Sequence, residues 1–177
     1  MKTLKPIMLM LVIGLLTFSM SAQNKKDKKV IKDAEAAKEL LLKESPSLKK
    51  YFNTAAGYVI FPNVGKGGFI VGGASGNGVL YQGGKKQGMA GVKELNIGLQ
   101  AGGQALIEVI FFETSKEVKH FKEGNFAFDA GVSAVALKSG ETFDAKYDDG
   151  VAVFTHTKGG LMAEASVGGQ KFDYKAF

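Results

Sequence analysis

The 177-residue chain carries 23 lysines and no arginine against 17 acidic residues, with 24 glycines, 3 prolines and no cysteine. The lack of cysteine excludes a disulfide framework, a thiolate zinc site, an iron-sulfur cluster and a thiol nucleophile. Scarce proline and the absence of a G-X-Y period exclude collagen and a disordered linker. Lysine alone cannot make the planar bidentate bonds that arginine makes to phosphate or guanine, which argues against a nucleic-acid partner.

At the start of the chain, Lys2 and Lys5 precede an apolar run from Ile7 to Phe18, and Ser19, Ser21 and Ala22 follow. This three-part pattern predicts a signal peptide over residues 1–22, with cleavage after Ala22 and an exported, periplasmic or extracellular product. No cysteine follows to carry a lipid anchor. Residues 23–177 are then one domain, long enough to bury roughly 68–70% of its unfolded surface.

Charge is uneven along that domain. Residues 23–50 hold nine lysines and five acids, whereas residues 51–177 hold twelve of each. The basic character therefore belongs to a helical N-terminal segment, residues 23–54, and not to the body, residues 55–177. After a polar leader, Val30, Ala34, Ala37 and Leu41 recur at helical spacing with Ile31 and Leu42 widening the stripe, which predicts an amphipathic helix over 30–43. Ser45 and Pro46 read as the cap and first turn of a second, short helix presenting Leu48, Tyr51 and Phe52.

Beyond Asn53 the composition changes. Fifteen glycines between Gly57 and Gly103 separate the short apolar runs 58–61, 69–71 and 79–81, which read as strands joined by tight turns. Residues 82–87 read as a hairpin tip with Lys85 and Lys86 in solvent. Leu95, Ile97 and Leu99 alternate with polar or small residues, predicting a half-buried strand. Leu106 to Phe112, interrupted by Glu108, reads as a central strand. Thr114 and Glu117 form a capping box ahead of a third helix bearing Val118 and Phe121, and Gly124 stops it. Further strands are expected near 126–137, 142–147, 151–155 and 161–167. Helices flanking consecutive strands, without regular strand-helix alternation, predict an α+β fold, with N-terminal amphipathic helices packed on a glycine-rich, strongly curved, mainly antiparallel sheet that approaches a partly closed barrel.

Catalytic patterns are weak. His120 and His156 lie in no metal-ligand arrangement, so no metal and no cofactor is expected. Gly73-Ala74-Ser75-Gly76 has the wrong spacing for a nucleophile elbow. Gly84-Lys85-Lys86 lacks both the magnesium-binding hydroxyl and the following helix of a phosphate loop. Glu141, Asp144, Asp148 and Asp149 read as a solvated rim. The chain is therefore expected not to be an enzyme, with a hydrolase built around His156 as a weak alternative.

The order of several pieces resembles the SYLF domain family: Ala56 to Pro62, Gly67 to Gly73, Gly76 to Leu80, Gly98 to Gln104, Val109 to Phe112, Phe121, Asp129 to Ser133, and Gly160 to Ala163 with Ser166 and Gly169. It covers about residues 30–177. Met162 and Glu164 stand where the family commonly has Phe and Gly, and no SH3 domain accompanies the match. The resemblance implies binding of membrane lipids, phosphoinositides in eukaryotic members, through an N-terminal amphipathic helix and a basic surface. It also implies actin as a partner of fungal members, which an exported chain would not meet in its own cell.

The residues permit the lipid function independently. Lys25, Lys26, Lys28, Lys29 and Lys32 can meet an anionic lipid or other amphiphile, while Val30, Ile31, Ala34 and Leu41 supply apolar contact. Two alternatives stand beside this. The apolar stripe could instead pack permanently on the sheet, or the chain could form an integral outer-membrane barrel or a structural envelope protein.

Overall fold

The computed structural model describes residues 25–67, 72–96, 103–129, 132–141, 143, 145–159 and 167–177. The predicted signal peptide lies outside them, as do residues 69–71, 97–100 and 161–166 of the expected strands and Asp144 of the acidic rim. The architecture is α+β, as expected: among the described residues, three helices and a seven-stranded, mostly antiparallel sheet.

Helix α1 occupies residues 25–44, about 30 Å of helix. It includes the lysines of the expected polar leader, since lysine is a good helix former. Ser45 does not cap the second helix. Its amide donates to Leu41 O at 2.8 Å and so closes α1, and its carbonyl accepts from Leu48 N at 3.0 Å. Helix α2 is Leu48–Thr54, after a turn through Pro46 and Ser47. Helix α3 is Ser115–Lys122, and the predicted capping box is present: the Thr114 side chain accepts from Lys116 N, and Thr114 N donates to Glu117 Oε2 at 3.1 Å. Gly124 ends that helix region at φ +78°.

The strands are β1 (Gly57–Gly67), β2 (Gly72–Gln82), β3 (Lys85–Asn96), β4 (Gly103–Phe112), β5 (Val135–Ala136), β6 (Val151–Gly159) and β7 (Gln170–Ala176), in the spatial order β5-β6-β4-β1-β2-β3-β7. Among the described residues only the β5–β6 pairing is parallel. The β2–β3 hairpin turns on Gly83 and Gly84, both at positive φ, as a tight two-residue connection between right-twisted strands requires. Pro62, without an amide hydrogen, sits where the register of β1 shifts against both β2 and β4. The bulge keeps Phe61 and Val64 on the same face.

The sheet is strongly curled. Phe172 on β7 lies 5.8 Å, ring to ring, from Phe61 on β1, although β2 and β3 intervene. Gln170 Nε2 on β7 donates to Glu108 Oε2 on β4 at 3.0 Å and to Glu94 Oε2 on β3 at 3.2 Å. The curl stops short of closure, since β5 and β7 stay at opposite ends of the strand order and do not pair among the described residues. The described strands form an open sheet with helices lying on it. The segment after α3 touches both margins, with Phe128 N donating to Gln170 O of β7 at 2.9 Å and Val135 pairing with Phe154 of β6.

Two expected strands are largely absent. Among the described residues of 126–137 only β5 and isolated bridges at Ala127 and Ser133 form, and the described residues of 142–147 pair with no strand. Phe126 and Phe128 bury their rings on the inside of the curl, whereas Phe143, Ala145 and Tyr147 pack beneath the helices. Alternation there reports a buried edge and not a hydrogen-bonded ladder.

The core divides by face. Val59, Phe61, Leu80, Leu106, Ile110, Phe112 and Phe172 fill the concave side with Val118 and Phe121 of α3. Ala34, Ala37 and Leu41 of α1 and Leu48 and Tyr51 of α2 cover the convex side, over Ile60, Val79, Val109 and Phe154. Gly78 marks a tight crossing, where an added Cβ would lie 2.5 Å from Ile60 O and 2.6 Å from the Phe61 ring.

Candidate functional site

Helix α1 carries the expected residues, split between two environments. Lys25, Lys26, Lys28, Lys29 and Lys32 are all exposed, and over residues 25–32 they face a single acid, Asp27. Lys29 holds Asp33 at 3.2 Å across one turn. The apolar partners point the other way. Ala34 and Leu41 are buried against the sheet, and Val30 and Ile31 are half-buried against the same cluster. The arrangement is therefore that of a docked helix: the stripe expected to meet lipid meets the sheet, and the lysines remain available.

A groove runs along each flank of α1. The first, about 320 Å³, has Ala36, Ala37, Leu40 and Ile107 as its apolar surface and Lys29, Asp33, Asn63 and Lys158 around it. Lys158 on β6 donates to Asn63 Oδ1 at 2.7 Å. The second, about 380 Å³, lies between α1 and α2 and is lined by Lys38, Leu42, Pro46, Lys49, Phe52 and Asn53. Lys38 Nζ donates to Tyr58 Oη at 2.8 Å and sits 4.7 Å and 4.9 Å from the centres of the Phe52 and Tyr58 rings. These aromatic faces fix the ammonium by cation–π attraction. Nothing in the linear spacing singles out Lys38, Lys49 or Lys158, because these grooves arise from the helix–helix angle and from the register of β6.

The remaining candidates do not converge. Exposed His120 stacks edgewise on Phe126 at 5.2 Å. His156, on β6, is half-buried, and its Nδ1 has no hydrogen-bond partner among the described residues. Glu141 lies 3.8 Å from Lys138, while Asp148 and Asp149 form the turn into β6. Lys86, expected in solvent at the hairpin tip, reaches Glu35 of α1 at 2.7 Å. Among the described residues no group of three or more His, Asp or Glu side chains is placed to hold a metal. No described helix is long and apolar enough to cross a membrane.

Tyr81, beneath α1 and stacked on Tyr58 at 5.0 Å, has its phenol pushed well above the ordinary range by burial, then by the charge of Glu35 and the neighbouring Tyr58. Burial raises Tyr147 as well, helped by Glu113 and Tyr51.

No family model matches the chain. It is similar to beta cell expansion factor A of Aeromonas veronii, at 30% identity over 142 residues, which is 78% of this chain and 53% of that protein. The chain thus spans about half the length of the curated relative it matches.

Proposed function

We propose that this chain is an exported, non-enzymatic protein of the SYLF type that adsorbs to anionic membrane lipid through the lysine face of α1. What carries the proposal is the exposure of Lys25, Lys26, Lys28, Lys29 and Lys32 on a helix whose apolar stripe is already occupied by the sheet. Each lysine near an anionic surface contributes about 1 kcal/mol, so four of them supply about 4 kcal/mol, roughly a thousandfold in affinity. Docking of the helix means that its backbone need not be ordered on binding, which lowers the ordering cost.

The test compares vesicles of anionic and neutral composition, with the parent protein and a variant in which Lys25, Lys26, Lys28 and Lys29 are replaced by glutamine. The parent should sediment with anionic vesicles only, and the variant with neither. The Lys29–Asp33 pair is exposed and contributes at most a few tenths of a kcal/mol, so melting should be unchanged. Equal binding by parent and variant at low salt would refute the proposal. Export has a separate check: N-terminal sequencing of the secreted protein should begin at Gln23, and a cytosolic product that retains Met1 would overturn it.

A further inference from the structure

The groove between α1 and α2 has a chemistry distinct from the lysine face. Its lining contains two lysines, Lys38 and Lys49, and no carboxylate, against an apolar wall of Leu42, Pro46 and Phe52. The two cations differ in kind. Lys38 is half-buried and held by the Tyr58 hydroxyl and two aromatic faces, whereas Lys49 is exposed at the rim. A held cation beside an apolar wall, with an exposed one at the mouth, complements a ligand that joins one oxyanion to one hydrocarbon chain. At about 380 Å³ the groove stands near the lower end of small-molecule sites, large enough for one chain and too small for a two-chain lipid.

We infer that this groove binds a single-chain anionic amphiphile, a fatty-acid carboxylate, as a monomer. The carboxylate accepts charge-assisted hydrogen bonds from Lys38 and Lys49, and the chain lies along Leu42, Pro46 and Phe52. Lys38 keeps a donor for the ligand, because an ammonium has three and Tyr58 takes one. This binding uses different lysines from membrane adsorption and a different state of the lipid, so the two can fail independently.

The probe is dodecanoate, titrated calorimetrically below its micelle concentration, with acetate and dodecanol as companions lacking the chain and the charge. The parent should bind dodecanoate saturably with one site and bind acetate and dodecanol at least tenfold more weakly. Lys49→Gln, at an exposed position that leaves the fold intact, should weaken dodecanoate roughly tenfold, the equivalent of one charge-assisted hydrogen bond. Adding Lys38→Gln should weaken it further, with thermal melting run alongside. The variant lacking Lys25, Lys26, Lys28 and Lys29 should keep dodecanoate binding while losing vesicles, and Lys49→Gln should do the reverse. Absence of saturable dodecanoate binding to the parent, unchanged affinity in Lys49→Gln, or equal affinity for dodecanol would each overturn the inference.

Discussion

The two faces of the sheet solve different problems. On the concave side, phenylalanines from β1, β4, β7, α3 and the segment after it pack ring against ring, including Phe112 with Phe121 at 5.2 Å and Phe128 with Phe172 at 5.0 Å. On the convex side, aromatic residues are interleaved with hydroxyls and with α1, whose outer surface is lysine. Tyr51 donates from its hydroxyl to Ala145 O at 2.5 Å, and Tyr58 holds Lys38. A face closed by packed rings around the buried Glu94–Gln170–Glu108 cluster fixes the curl; a face closed by a basic helix leaves grooves and cations along its margins. Stability should thus be concentrated on the first face and ligand response on the second.

The largest expected effect is on the concave side. Phe61→Ala removes a fully buried ring beneath the Pro62 bulge and should lower stability by about 3–5 kcal/mol in urea unfolding. If the loss falls below about 1 kcal/mol, the concave face does not dominate the fold. Next, Gly78→Ala forces a methyl group onto Ile60 O and the Phe61 ring, and it should cost about 1–3 kcal/mol through overpacking. Neither substitution should alter vesicle binding below the melting temperature, since no charge on α1 changes.

A smaller effect belongs to the convex side and has a defined pH sign. The phenols of Tyr81 and Tyr147 are raised in the folded protein, so the native state holds its protons more tightly than the unfolded chain. The corresponding stability is complete below the unfolded tyrosine pKa of about 10 and is lost as pH rises above it. Melting temperature should fall steeply from pH 10 upward. Tyr81→Phe should blunt that fall and cost little at neutral pH, because the Tyr81 hydroxyl is buried with no hydrogen-bond partner among the described residues. An unchanged alkaline slope in Tyr81→Phe would place the transition elsewhere.

The smallest effect concerns the cap of α3, at the edge of the concave side. Thr114→Ala should cost about 1 kcal/mol. The Thr114 hydrogen bond also holds the Glu117 carboxyl below its usual range. Its contribution is present above the ordinary carboxylate pKa and fades as pH falls through the depressed one. Melts taken down an acid series should show this shallow loss in the parent and not in Thr114→Ala.

Much of this contrast can be read in the sequence where the signal is local. The α3 capping box, the Gly83-Gly84 turn and the 3.6-residue period of α1 each need only neighbours within one turn or one hairpin. What escapes is long-range. Phe143, Ala145 and Tyr147 alternate as a strand would, yet the described residues of that segment have no paired neighbour, because burial on one side sets the alternation and hydrogen-bonding partners do not. The period of α1 reveals a buried stripe without saying whether sheet or membrane buries it. The groove residues Lys38 and Lys49 acquire meaning only once α2 folds back beside α1.

On the proposed function, α1 acts from its docked position, with its lysines outward and Ala34, Ala37 and Leu41 on the sheet. An ionic-strength titration of binding to anionic vesicles tests this most directly, because screening reaches about 8 Å at physiological salt and about 3 Å at 1 M. A docked helix binds through charge alone, so adsorption should decline steadily with salt and vanish by about 1 M. A salt-resistant bound fraction would mean that the apolar stripe leaves the sheet and enters the bilayer, contradicting the docked-helix account.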